Sequence, residues 1–83
     1  MRHSEEVTRR ILLALLEGEG YLTLSELSQT MEISKRSVQN YLNKADSWLR
    51  EHQLSEIRIV KKQGYGTRLE CDAANRQKLS ALL

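Results

Sequence analysis

The stretch from Thr23 to Leu49 reads TLSELSQTMEISKRSVQNYLNKADSWL, and it leaves the chain few ways to fold. It holds two helical patterns with almost nothing between them. In the first, Thr23 is an N-cap and Glu26 follows three residues later, the spacing of a capping box. Leu24, Leu27 and Met31 then share one face. The residues left for a turn are Glu32, Ile33 and Ser34, and Ile33 plugs the core between the helices. Ser34 caps the second pattern by accepting from an orphan N–H of its first turn. That pattern runs from Lys35 to about Glu51, with Val38, Tyr41, Leu42, Ala45, Trp48 and Leu49 on one 3.6-residue stripe. Two helices so closely joined must bury their stripes against each other and against a third element.

The flanks supply that element. Val7, Ile11, Leu12, Leu15 and Leu16 recur at helical spacing, predicting a helix from Glu5 to Glu17 capped by Ser4 and ended by Gly18 and Gly20. Tyr21 to Thr23 is a short extended piece able to pair with a later hairpin. In EIRIVKK, Ile57 and Ile59 point one way, Arg58 and Val60 the other, as in a strand. Gln63-Gly64-Tyr65-Gly66 is its turn, and Thr67 to Glu70 returns. Asp72 caps a last helix carrying Ala73, Arg76, Leu79, Leu82 and Leu83. Eighty-three residues hold one core, hence one domain over 1–83. The expected class is mainly α with a small β-hairpin: a three-helix core, a wing and a C-terminal helix, which is a winged helix-turn-helix.

Composition excludes other classes. No apolar run reaches the roughly 20 residues that span a bilayer, and the N-terminus lacks a signal-peptide core, so a cytoplasmic location without membrane contact is expected. The single cysteine, Cys71, excludes an internal disulfide, and His3 and His52 lack metal-ligand spacing, so no metal and no cofactor is expected. No nucleophile–base set, carboxylate pair or phosphate-binding glycine loop is present, so no enzyme is expected. Charge is unevenly spread: residues 33–68 carry eight basic and three acidic side chains, 8 − 3 = +5, and the remainder five and eight, 5 − 8 = −3. An anionic partner for the middle of the chain fits this segregation.

The second helix of the pair is suited to duplex DNA. Its outer face is centred on Arg36, Asn40, Asn43 and Ser47, flanked by Gln39 and Arg50, and holds no acid; Asp46 lies toward its edge. A solvated helix face ordinarily mixes Glu with Lys at i, i+4. Arg36 can bind guanine O6/N7, and Gln39 or Asn40 adenine N6/N7, in a major groove about 12 Å wide. Ser34, Lys35, Ser37 and Lys44 suit phosphates. The hairpin adds Lys61, Lys62, Gln63 and Arg68 around its Gly-Tyr-Gly tip, for the backbone or a minor groove. Tyr65 either stacks on a sugar or packs beneath the wing. Trp48 lies on the core stripe, where its indole N–H needs a partner. His52 suits the negative end of its helix.

The motifs Leu-Thr-Leu-x-Glu-Leu, Ile-Ser-Lys-Arg-Ser-Val-Gln and Lys-x-Gly-Tyr-Gly-x-x-Leu resemble the N-terminal winged helix of bacterial sugar-operon regulators with phosphotransferase-system regulation domains, of the mannitol-operon and lichenan-operon activator type. The resemblance covers nearly the whole chain, and the helix pair is shared with other winged-helix families. It implies an N-terminal fragment of a longer regulator, a homodimer in the full-length protein, and phosphotransferase-system partners reached only through domains absent from these residues. Two positions depart from the pattern. Glu32 stands where Gly is frequent, at a cost of about 1 kcal/mol if left-handed, and Ser28 stands for Ala and needs a hydrogen bond. The rival expectation is a winged helix for protein contact, with an exposed apolar patch through Leu79, Leu82 and Leu83. RNA binding lacks exposed paired aromatics.

Overall fold

The computed structural model describes residues 2–18 and 20–83, with side chains described from Glu5 onward. Helix α1 spans Arg2–Glu17, α2 Leu24–Met31 and α3 Lys35–Glu51. Strands β1, Arg58–Lys62, and β2, Gly66–Glu70, form an antiparallel hairpin, and α4, Ala73–Leu82, closes the chain. This is the winged helix-turn-helix order. Helix α1 begins before Glu5, so Ser4 lies within it rather than ahead of it; its side chain is outside the described residues.

Local chemistry sets most boundaries. Thr23 Oγ accepts from the Glu26 N–H at 3.0 Å, Ser34 Oγ from Ser37 N–H at 3.1 Å, and an Asp72 carboxylate oxygen from Asn75 N–H at 2.8 Å. Each satisfies a donor that the first helical turn leaves open. The turn between α2 and α3 is left-handed at Glu32, with φ 58° and ψ 41°. It is tied down by Ser28, whose hydroxyl donates to the Ile33 carbonyl while its own carbonyl accepts from Ile33 N–H at 3.2 Å. The Ser28 hydroxyl thus has its partner in the turn.

The three helices share one core. Ile11 and Leu12 of α1, Leu27 of α2, and Val38, Leu42 and Leu49 of α3 are at most 1% exposed. Burying such side chains contributes about 1.5–3 kcal/mol each. Leu54, Ile57 and Leu69 extend the core beneath the hairpin, and Leu79 seals it from α4. Leu79 is fully buried, so the apolar patch that the protein-contact reading expects on the last helix is reduced: Leu82 is exposed and Leu83 half-buried. Arg76 reaches from α4 to the Leu16 carbonyl and neutralises the open C-terminal end of α1.

The hairpin is held to the helix pair by a third extended piece. Leu22 bridges Thr67, with N–H···O distances of 2.7 and 2.8 Å in the two directions. Gly66, at φ 115°, permits this approach: a Cβ there would lie 2.3 Å from the Leu22 carbonyl oxygen. The bridge places the wing directly beside the N-terminus of α2.

Candidate nucleic-acid interface

Helix α3 presents two faces with different work. Its inner stripe is buried, whereas Arg36, Gln39, Asn40, Asn43 and Lys44 are exposed. At 1.5 Å per residue, Arg36, Asn40 and Asn43 span about 10 Å of the helix axis, close to a groove's width. Lys44 lies 5.0 Å from the centre of the Tyr41 ring, a cation–π contact that holds its ammonium near the helix. Ser34 Oγ, while accepting from Ser37 N–H, also donates to Ser37 Oγ at 3.0 Å. The Ser37 hydroxyl keeps its proton free for an outside acceptor. At the far end, Arg50 pairs with Asp46 at 2.6 Å.

The hairpin register separates Lys61 from Arg68. In the antiparallel register Lys61 faces Thr67 and Ile59 faces Leu69, so these four share one side of the ribbon. Thr67 and Leu69 are buried. Lys61 therefore continues the core side past the point where the core ends. It lines a cleft of about 610 Å³ together with Lys35 and Gln39 of α3, Thr23 and Ser25 at the start of α2, and Lys62 and Gln63. Three lysines, two amides and two hydroxyl side chains thus converge between α3 and the wing. The same cleft meets the N-terminus of α2, whose partial positive charge favours an anion.

Arg68 stands apart from this group. It pairs with Val60 across the ribbon, on the opposite side from Lys61. Its guanidinium lies 5.5 Å from the Tyr21 ring centre and 3.5 Å from a Glu70 carboxylate oxygen, and it lines a separate recess with Gly18, Gly20 and Arg76. Tyr65 is 59% exposed, tilted on Tyr21 at 5.9 Å, with the Lys62 ammonium 4.6 Å from its centre. The ring leans on the wing base without being covered by it.

The remaining polar features are structural. Trp48 is in the core, and its indole Nε1 is buried with no partner among the described residues, against the expectation of one. His52 stacks on it at 3.9 Å, with Nδ1 2.9 Å from the Trp48 carbonyl oxygen, so the proton on that nitrogen points into the helix end. Burial pushes the Cys71 thiol up, as Asp72 also does, against an opposing pull from Arg76. A protonated, half-buried thiol is a poor nucleophile. Among the described residues no cluster of His, Cys, Asp or Glu is arranged to hold a metal, and no helix is long and apolar enough to cross a membrane.

A buried three-helix core, a polar exposed face on α3 and a basic cleft under a hairpin define a DNA-binding domain of the winged helix-turn-helix class. A family model described as an HTH domain matches residues 7–68, most of the chain, and the protein belongs to that family. Membership makes DNA its partner and DNA binding by a regulator its function. No curated protein matches the chain at a level that shows kinship, and neither does any solved structure.

Proposed function

We propose that the chain is the sequence-specific DNA-binding domain of a bacterial transcriptional regulator, N-terminal in a longer protein that works as a homodimer on a carbohydrate-uptake operon. The reading of the operon class and of phosphotransferase-system control rests on the resemblance in Leu-Thr-Leu-x-Glu-Leu, Ile-Ser-Lys-Arg-Ser-Val-Gln and the wing motif. The reading of the interface rests on the convergence of Lys35, Gln39 and Lys61 on one cleft. In it, α3 enters the major groove. Arg36, Gln39, Asn40 and Asn43 meet base edges, while Ser34, Lys35, Ser37 and Lys44 take phosphates on the flanking strand. Lys61, Lys62 and Gln63 follow the backbone or the minor groove, with Tyr65 against a sugar. Arg68, held by Glu70 and Tyr21, steadies the wing.

Selection of operator sequences from a random duplex pool, followed by anisotropy titration, tests the reading. Arg36→Ala should lose about 1–3 kcal/mol on the selected site and relax preference at one base pair. Unchanged affinity and unchanged preference would refute the assignment of α3. If wild-type binding proved indifferent to salt, the protein-contact alternative would take its place.

A further inference from the structure

The outer stripe of α1 faces away from the core and from the cleft. At 100° per residue, Leu13 sits at its centre, with Arg9 on one side and Arg10 and Glu17 on the other. Leu13 is 41% exposed although α1 packs on all three other helices. Beside it, Leu82 of α4 is also 41% exposed, and Arg9 anchors that helix end by donating to the Leu82 carbonyl at 2.9 Å. The surface between them is a shallow recess of about 440 Å³ lined by Glu5, Glu6, Arg9, Arg10, Leu13 and Leu83. Neither Arg10 nor Glu17 makes an ion pair among the described residues.

This pattern is complementary to itself. A second copy laid antiparallel, with the two-fold axis at Leu13, stacks Leu13 on its counterpart. The same axis brings residue 10 of one copy level with residue 17 of the other, to within about one residue's rise of 1.5 Å. Both positions lie on the same side of the Leu13 line, so each Arg10 meets a Glu17, twice by symmetry. An isologous contact needs this kind of self-complementarity. A parallel two-fold, which exchanges the two sides of the Leu13 line, would instead bring Arg10 level with Arg9 of the other copy, two like charges. We infer that the chain self-associates through α1, antiparallel about Leu13, with reciprocal Arg10–Glu17 pairs and the α4 end at the margin. The inference deepens the proposed homodimer by placing a contact within these 83 residues. The α3 face and the wing cleft stay free in it.

The apolar patch is small, so the dimer should be weak, in about the micromolar to millimolar range. Sedimentation velocity of the 83-residue chain without DNA tests it. Wild type should shift from monomer to dimer with concentration. Leu13→Glu should raise the dissociation constant at least about tenfold, as expected for the centre of an interface. Arg10→Glu and Glu17→Arg should each weaken self-association alone, because each sets like charges together. Mixed in equal amounts, the two variants should associate at least as tightly as wild type, because both cross-pairs are then opposite in sign. Circular dichroism melts identify any variant that has merely unfolded, and the mixture decides the case even if one variant is less stable. A wild type that stays monomeric up to about 1 mM, or a mixture no tighter than its components, overturns the inference. Anisotropy on duplex DNA with the same proteins reports separately on the DNA-binding reading.

Discussion

At the scale of single residues, two backbone positions carry the most information. Glu32 occupies the left-handed region at φ 58°, where a Cβ costs about 1–2 kcal/mol. Glu32→Gly removes that cost and adds some unfolded-chain entropy, leaving a gain of about 1 kcal/mol or less. The melting temperature should rise by about 4–8 °C per kcal/mol gained, measured by circular dichroism; a lower value would mean that the Glu32 side chain stabilises the turn. Gly66 is the opposite case. A methyl group there meets the Leu22 carbonyl carbon at 2.6 Å as well as its oxygen, at a φ of 115°. Gly66→Ala must either part Leu22 from Thr67 or strain the turn, so it should lose at least about 2 kcal/mol in urea denaturation. Glu32 and the caps at Thr23, Ser34 and Asp72 were readable from the sequence because their partners lie within three to five residues. The collision at Gly66 was not, because it depends on a strand that arrives from forty-odd residues away in sequence.

At the scale of elements, the helix pair and the hairpin were both legible, and their relation was not. Periodicity gives α3 a buried stripe and an exposed face, and the structure has the same division. For the wing, the basic residues Lys61, Lys62 and Arg68 read as one group, yet strand pairing sorts them onto two sides. Only the register, fixed by Lys62 opposite Gly66, decides that Lys61 joins Lys35 and Gln39 and that Arg68 turns to Tyr21 and Glu70. The apolar patch that the protein-contact reading expects on the last helix fails for a similar reason. Its apolar residues are too few to define a stripe, and Leu79 is buried where α4 packs on α1 rather than by any pattern of its own. The sorting of the wing has a measurable consequence. If Lys61 meets a phosphate, Lys61→Ala should lower affinity on all sequences alike and reduce the slope of log K against log salt by about 1. Arg68→Ala should leave that slope nearly unchanged and lower the melting temperature instead. Equal slopes for both variants would mean that wing parity does not govern contact.

At the scale of the molecule, reading face and core are two sides of one helix, so stability and binding can be mistaken for each other in any mutant. A domain of this size has about 4–12 kcal/mol of stability in total, at about 0.05–0.15 kcal/mol per residue. Ile11 of α1 is fully buried in the core and is not one of the exposed residues of the proposed interface. Ile11→Ala should lose about 2–5 kcal/mol, enough to leave a marginal domain partly unfolded at physiological temperature. Its DNA affinity should then appear weaker by only the unfolded fraction. Because DNA binds the folded form alone, duplex at about 100 times its dissociation constant returns about 2.7 kcal/mol of apparent stability. The melt of Ile11→Ala should therefore move back up with saturating operator, and its bound complex should keep the wild-type base preference. Arg36→Ala should behave inversely: an unchanged melt without DNA, and a smaller upward shift with it. If operator failed to stabilise Ile11→Ala, the core of α1 would be shaping the reading face of α3 directly, not merely holding it in place.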